Sequence, residues 1–232
     1  MNASVQEISL LGLSLAFLPA LVVIGIMLRW GAGARTASYG TLRMLVQLLL
    51  IGYVLVYIFN TDHPAVVLGV LFVMVCVASW IALRPLEKRQ PRLYAKALAA
   101  ISLGGLLTLA LVSQLVIDVQ PWFSPRYVIP LAGMIIAGSM NAVSLAAERL
   151  HAELDRGVSY LEARRIAFQA CLIPIVNSLF AVGLVALPGM MTGQILSGVS
   201  PLVAAKYQIV VMTMLFGASG ISAAAFLLLA KD

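Results

Sequence analysis

Charged side chains are scarce in this sequence. Only 10% of its 232 residues are charged, 62% are hydrophobic, and the mean hydropathy is +1.04. Soluble globular proteins are about half apolar and about a quarter charged, so the composition excludes a soluble domain. The apolar stretches run for about 20 residues without the alternation of a barrel strand. The fold class is therefore predicted to be an all-α integral membrane protein.

Residues that carry catalytic or metal chemistry are equally few. The two cysteines, Cys76 and Cys171, lie inside apolar segments, which is typical of buried packing and not of a disulfide framework. The two histidines, His63 and His151, have no partner at metal-ligand or catalytic-triad spacing. There is no phosphate-binding G-x-x-x-x-G-K-[ST] loop. We therefore expect no enzyme activity and no cofactor in this chain itself.

Seven apolar stretches predict seven transmembrane helices in a single polytopic domain over residues 1–232. They lie at about 8–28, 41–59, 65–83, 97–117, 127–147, 166–187 and 207–230. None has an acidic or basic residue near its centre, which argues against a proton pump, and against a retinal protein built on Lys206. Residues 1–7 lack the basic region of a cleavable signal peptide.

The basic residues predict the orientation, since cytoplasmic loops of membrane proteins are enriched in Lys and Arg. Only Arg126 and Lys206 fall on one side of the predicted spans. The other side carries Arg29, Arg35, Arg43, Arg84, Lys88, Arg89, Arg92, Lys96, Arg149, Arg156, Arg164, Arg165 and Lys231. The N-terminus is therefore predicted outside and the C-terminus in the cytoplasm. This asymmetry also explains the net charge of +6 without a nucleic-acid partner.

Uncharged polar residues and methionines inside the spans are the candidates for a translocation path. The path candidates are Gln47, Met140, Asn141, Asn177 and Ser178. A buried amide in lipid needs a partner, so interhelical hydrogen bonding is the alternative for each. Met134, Met140, Met190 and Met191 carry thioethers that suit soft cations, but methionine is also a pliant packing residue.

The stretch "LPGMMTGQILSG", residues 187–198, interrupts the hydrophobic sequence on the predicted outer side. Pro188 and Gly189 are typical of a helix end, and the residues between Met190 and Val199 suggest a short re-entrant or interfacial helix. The break is either an ordinary hairpin or part of a pathway. The candidate outer-gate residues are Pro188, Gly189, Met190, Met191, Thr192 and Gln194.

The most polar piece of the chain is the segment 148–165, predicted to be cytoplasmic. Its charged candidates for contact with a partner are Glu148, Arg149, Glu153, Glu162 and Arg165. Mixed charges at helical spacing are typical of a solvated helical extension. The alternative is a docking surface for a cytoplasmic partner that supplies energy.

Four stretches resemble the Fet-type iron-export permeases and the plant aluminium-sensitivity proteins of the same family. They are "RMLVQLLLIGYVLVYIF", "IPLAGMIIAGSMNAVSLAAERL", "LIPIVNS" and "VGLVALPGMMTGQILSGVSPLVAAKYQIVVM". The resemblance implies the permease subunit of an ABC transporter in the bacterial inner membrane. It also implies two copies of this chain working with two cytoplasmic ATPase chains that hold ATP and magnesium. The implied substrate is iron or another metal, or a nucleotide sugar.

Two departures from the family pattern stand out. Members usually have Thr where this chain has Ile175, and a longer inner segment with a Leu-Gly-Ala-Thr stretch that resembles the coupling helix of ABC transporters. Here the segment within residues 148–170 is short and contains no Gly-Ala-Thr. It is a natural short form, an engineered deletion, or a sequence from which a loop is missing. The intact flanking motifs favour the last.

Three functions remain open at this point. A metal exporter should bring Met, Asn and Gln groups together within a few Å. An exporter of an organic solute such as a nucleotide sugar should have a larger cavity with aromatic walls. A membrane anchor for a cytoplasmic partner would have no polar path between its helices.

Overall fold

Helices form almost all of the regular structure of this chain. A computed structural model describes residues 8–61, 63–86 and 91–231. Its α-helices are α1 (Leu10–Leu15), α2 (Leu18–Trp30), α3 (Ala34–Phe59), α4 (Pro64–Ala82), α5 (Pro91–Ala110), α6 (Pro125–Asp155), α7 (Tyr160–Ala181), α8 (Gly189–Leu196) and α9 (Pro201–Leu229), and the π-helical segment Leu111–Val116 follows α5. Lys88, Arg89 and residues 1–7, for which no signal peptide is predicted, lie outside the described residues.

Within residues 8–61, 63–86 and 91–231, six helical stretches are long and apolar enough to cross a membrane. They are Leu10–Trp30, Ala34–Phe59, Pro64–Ala82, Pro91–Val116, Pro125–Asp155 and Pro201–Leu229. The all-α membrane class is therefore confirmed. The predicted span 166–187 is not among the six: its helix, α7, ends at Ala181, and Arg164 and Arg165 near its start lower the hydropathy. The count of seven and the orientation stay predictions.

The chain divides into two compact units, Met1–Asn60 and Thr61–Asp232. In the first, α2 packs against α3, and Gly31 and Gly33 adopt positive φ angles of 67° and 72° in the turn between them. Glycine adopts this left-handed conformation at no steric cost. In the second, α6 packs against α4, α5, α7 and α9. The prediction of one polytopic domain over residues 1–232 stays a prediction.

Prolines mark where several helices begin. The first turn of α4 contains Pro64, that of α6 contains Pro125, and that of α9 contains Pro201. At this position the missing N–H leaves no helical hydrogen bond unmade, and the fixed φ suits the helix. The sequence thereby sets the start of α6 and of α9, the two long helices that line the cavities described below.

Small residues allow α9 to approach α5 and α6 closely. A Cβ added to Gly104 on α5 would lie 2.2 Å from Ser222 Oγ and 2.7 Å from the Ser222 backbone nitrogen. On α6, a Cβ added to Gly138 would lie 3.1 Å from Ser219 Oγ. Ser139 Oγ also donates to the Ala218 carbonyl at 3.3 Å. Such contacts are typical of membrane helices, which associate through close packing because lipid is as apolar as the side chains.

We expect Gly104→Ala to destabilise the protein because the added methyl group overlaps the Ser222 backbone, which cannot move without displacing α9. Overpacking of this kind costs about 1–3 kcal/mol. Thermal unfolding of the purified protein in detergent should show a lower midpoint. The matched control is Gly69→Ala on α4, where an added Cβ meets nothing within 4 Å. Equal midpoints for the two variants would contradict the close contact.

Candidate functional site

A cavity of about 360 Å³ lies between α6, α7 and α9. We call it the Asn141 cavity, and it is lined by Met134, Gly138, Asn141, Ala142, Leu145, Cys171, Pro174, Ile175, Ser178, Leu215 and Ser219. Its polar groups are an amide, two hydroxyls and a thiol, and it has no charged lining residue. It brings together the path candidates Asn141 and Ser178, which come from different helices. Ser178 Oγ donates to the Pro174 carbonyl at 2.9 Å, so this hydroxyl retains acceptor capacity.

A second cavity of about 530 Å³ lies where α6, α8 and α9 begin. We call it the Arg126 cavity, and it is lined by Ile117, Arg126, Tyr127, Pro130, Leu131, Met134, Met190, Gln194, Val199, Val203, Tyr207, Val210 and Val211. Arg126 is its one charged lining residue. Gln194 Oε1 is buried and has no hydrogen-bond partner among the described residues. The cavity therefore offers one cation, two phenols and one free amide acceptor within apolar walls.

Helical periodicity explains how α6 and α9 serve both cavities. On α6, Pro130, Met134, Gly138 and Asn141 recur every three or four residues along one face. Residues 207, 211, 215 and 219 of α9 recur every four residues, the first two lining the Arg126 cavity and the last two the Asn141 cavity. The two cavities therefore follow one another along the same pair of helices.

Three path candidates do not line either of these cavities. Met140 precedes Asn141 on α6 and is half-buried, but it does not line the Asn141 cavity. Asn177 precedes Ser178 on α7 and is exposed outside that cavity. Successive residues on an α-helix point about 100° apart, so neighbouring residues meet different surroundings. Gln47 is exposed on α3, in the first unit. The path role of these three residues stays a prediction.

The outer-gate candidates surround α8, the short helix expected after the Pro-Gly break. Pro188 is the N-cap of this helix, which begins at the exposed Gly189. Met190 and Gln194, four residues apart, both line the Arg126 cavity. Met191 and Thr192 are half-buried outside its lining, and Thr192 Oγ1 donates to the Pro188 carbonyl at 3.2 Å. The helical prediction is confirmed, and the gate role stays a prediction.

The predicted partner-contact segment forms a helical hairpin with a tight turn. α6 ends at Asp155, α7 begins at Tyr160, and Gly157 in the turn has a φ of 80°. The Gly157 amide donates to the Leu154 carbonyl at 2.9 Å and the Val158 amide to the Glu153 carbonyl at 3.1 Å. Four residues therefore separate the two helices, which leaves no room for a coupling helix between them.

A buried carboxylate holds the end of α6. Glu153 is only 4% exposed, and its Oε1 lies 2.6 Å from Arg149 Nη2 and 3.3 Å from Arg156 Nη1. A buried charge is tolerated when it is paired in this way. Glu153 therefore organises the hairpin and is not available to a partner. Arg149 Nε is buried with no hydrogen-bond partner among the described residues.

The other charged residues of the hairpin are at its surface. Glu148 is exposed, and Arg165 donates two hydrogen bonds to the Glu162 carboxylate, at 2.7 and 3.2 Å. The Arg165 guanidinium lowers the pKa of Glu162 below its usual value. Since a lowered carboxyl pKa stabilises the folded chain only where the group is ionised, this contribution is lost as the pH falls. These surface charges are the part of the segment that a partner can reach.

Sequence reasoning did not identify Arg126, Tyr127 and Tyr207 as residues that line a cavity. Arg126 entered only the charge count, and neither tyrosine was singled out. The available signal was the periodicity of α6, because Arg126 and Tyr127 precede Met134 by eight and seven residues, or about two turns. Tyr207 gave no such signal, because it precedes Ser219 by twelve residues, which is about three and a third turns of α9.

The sequence matches one known protein family over almost its whole length. The model of the family described as "Uncharacterised protein family (UPF0014)" matches residues 8–232. The chain belongs to the UPF0014 family. This confirms the resemblance to the Fet-type permeases and the plant aluminium-sensitivity proteins, since relatives of both kinds match. No solved structure matches the chain significantly.

Relatives of this UPF0014 protein come from bacteria and plants. "UPF0014 membrane protein slr1647" from Synechocystis sp. is 39% identical, over 75% of this chain and 73% of the relative. "Probable iron export permease protein FetB" from Escherichia coli is 34% identical, over 90% of this chain and 86% of the relative. "Protein ALUMINUM SENSITIVE 3" from Arabidopsis thaliana is 33% identical, over 79% and 71%. The UPF0014 chain is thus a multi-pass membrane protein related to a permease.

We expect Glu153→Gln to destabilise the UPF0014 protein because two arginines lose their shared carboxylate. Breaking a buried ion pair costs about 3–5 kcal/mol, and partial exposure of Arg149 should bring the loss down to about 2–3 kcal/mol. The loss of stability is measured as a lower midpoint of thermal unfolding in detergent at neutral pH. Glu162→Gln is the matched control, and its midpoint should hardly change because the Glu162–Arg165 pair is exposed. If Glu162→Gln were as damaging as Glu153→Gln, burial would not be the cause.

Proposed function

We propose that this chain is the membrane permease subunit of an ABC-type exporter, driven by ATP hydrolysis on a separate cytoplasmic subunit. The observation that carries the proposal is the pair of successive cavities along α6 and α9. A membrane anchor needs no such space, whereas a permease needs polar groups between its helices at several depths. Membership of a family that includes a probable iron export permease supports the same function.

The permease acts by moving its substrate between the two cavities without bond chemistry. Asn141, Ser178 and Ser219 hydrogen-bond the substrate or its hydration shell in the Asn141 cavity. Gln194 does so through its free Oε1 in the Arg126 cavity. ATP binding and hydrolysis on the partner shift the equilibrium between conformations that open to opposite sides of the membrane.

A metal ion is the first substrate candidate. Two thioethers, Met134 and Met190, and the Gln194 amide line one cavity, which supplies the Met and Gln of the grouping expected of a metal exporter, while Asn141 lines the other cavity. Thioethers favour soft cations. No cluster of three or more His, Cys, Asp or Glu residues occurs in the described ranges 8–61, 63–86 and 91–231. A metal would therefore be held weakly and transiently, as transport requires.

An organic anion is the second candidate, because the same cavity has aromatic and cationic walls. Tyr127 and Tyr207 can stack on a planar group, and Arg126 can bind a phosphate or carboxylate. The volume of about 530 Å³ lies within the range of small-molecule sites. The charge on Arg126 repels a bare cation, so the cavity suits a metal better as an anionic chelate than as a free ion.

The partner ATPase binds the hairpin within residues 148–165, on the side predicted to be cytoplasmic. Its accessible charges include Glu148, Asp155, Arg156, Glu162 and Arg165; the side chains of the two arginines are 67% and 63% exposed. Two copies of the chain assemble with two ATPase chains, which hold ATP and magnesium. The complex resides in the bacterial inner membrane with the N-terminus outside, as the distribution of Lys and Arg predicts.

We expect Asn141→Leu to lower substrate-stimulated ATP hydrolysis by the purified permease–ATPase complex in lipid by about tenfold, equivalent to about 1.4 kcal/mol. The physical reason is loss of the amide that the substrate meets between α6 and α7. Gln169→Leu is the matched control, since this amide is exposed on α7 and does not line the Asn141 cavity. Equal losses in the two variants would remove the Asn141 cavity from the path.

Substrate class can be decided by titrating the ATPase activity of the same complex with Fe(II), other metal ions and a nucleotide sugar, with and without Arg126→Gln. If the substrate is an organic anion, the variant should lose most of the stimulation because its cation is gone. If the substrate is a free metal ion, stimulation should persist or increase. Stimulation by neither class would argue for a membrane anchor, or for failed coupling through the short hairpin.

A further inference from the structure

Met134 occupies a special place between the two cavities. Among the described residues, it is the one that lines both the Asn141 cavity and the Arg126 cavity. Residues before it on the same face of α6 line only the Arg126 cavity, and residues after it line only the Asn141 cavity. On α9 the change from one lining to the other falls between Val211 and Leu215. The boundary between the two spaces is therefore formed by apolar side chains.

The chemistry of methionine suits such a boundary. Its unbranched side chain has three rotatable bonds and can change rotamer where a branched side chain would clash. The Met134 side chain is half-buried, and neither Val211 nor Leu215 offers a hydrogen bond to water or to a polar solute. Apolar constrictions of this kind exclude water and ions until the surrounding helices move.

We propose that Met134 is the constriction of the translocation path, the side chain that separates the two cavities and limits what passes between them. In the described conformation it divides a mainly apolar cavity with a few uncharged polar groups from a cavity that carries Arg126. Rotation of the thioether, or a small shift of α6 against α9, joins the two spaces. The identity of the substrate that passes Met134 depends on the proposed function. The constriction itself depends only on the packing of α6 and α9.

The test measures water access in the permease–ATPase complex reconstituted in lipid vesicles. Cys76 and Cys171 are first replaced by alanine, because Cys171 lines the Asn141 cavity. Leu145→Cys then reports on the Asn141 cavity and Val203→Cys on the Arg126 cavity. A charged, membrane-impermeant thiosulfonate is added to one side of the membrane at a time. With Met134 present, each reporter should react mainly from one side, and the two reporters from opposite sides.

Met134→Ala should raise the labelling of Leu145→Cys from the opposite side by about tenfold, which is the effect of a barrier lowered by about 1.4 kcal/mol. Met134→Leu, similar in volume, should keep the reporters separate. Met74→Ala is the packing control: this methionine on α4 contacts α6 at Gly133, where an added Cβ would lie 3.7 Å from Met74 Cε, and it lines neither cavity. If Met134→Ala is not recovered as a folded complex, Met134→Val is tested by the same criteria.

Three results would overturn the proposal. They are unchanged labelling in Met134→Ala, an equal rise in Met74→Ala, and labelling of Leu145→Cys from both sides while Met134 is present. The labelling needs neither substrate nor ATP, so its outcome is separate from that of the proposed function. A constriction without substrate-stimulated hydrolysis would reject the exporter and keep Met134 as the boundary. Substrate-stimulated ATP hydrolysis together with free access of the labelling reagent past Met134 would keep the exporter function and reject Met134 as the constriction.

Discussion

Close packing of α9 against α5 and α6 is the interaction on which the second unit depends. In lipid, apolar side chains gain little by meeting one another instead of acyl chains, so helices associate through contact and through hydrogen bonds. Gly104 lets the backbone of α5 reach Ser222, and Gly138 lets α6 reach Ser219. These contacts hold α9 on one side. On its other sides α7 and α8 leave the space that becomes the two cavities.

The scarcity of charge shapes the site as much as the packing does. The Asn141 cavity contains only uncharged polar groups, and these require no counter-ion in a medium where an isolated charge is costly. Charge appears at the two ends instead, as Arg126 near the beginning of α6 and as the Glu153 cluster near its end. The two ends of α6 therefore differ from its middle in their electrostatic environment.

The sequence predicted the helices well and the helix ends less well. Hydropathy finds the apolar centre of a helix, but a helix continues into polar residues while its hydrogen bonds are satisfied. For this reason α6 continues to Asp155 beyond the predicted 147. Conversely, Val182–Leu187 is apolar but not helical, because the backbone turns at Gly183, where φ is 83°.

Only part of the candidate site could be predicted from the sequence, and the reason is geometric. Polar residues within spans can be named, but which of two neighbours faces a cavity depends on how each helix is rotated against its partners. Ser178 faces the Asn141 cavity and Asn177 does not. That rotation follows from contacts between residues far apart in the chain, such as Ser139 with Ala218. Arg126 was missed because its place in the wall of a cavity depends on α8 and α9 lying beside it.

The length of α6 has a mechanical consequence. A continuous helix from Arg126 to Glu153 spans about 40 Å, since each residue adds about 1.5 Å, and it joins the Arg126 cavity to the hairpin at the opposite end. Such a rod acts as a lever: a tilt of about 5° about one end displaces the other by about 3 Å, comparable with the small shifts that switch packed interfaces. If the proposed ATPase moves the hairpin, a tilt of α6 would carry that movement toward the Arg126 cavity.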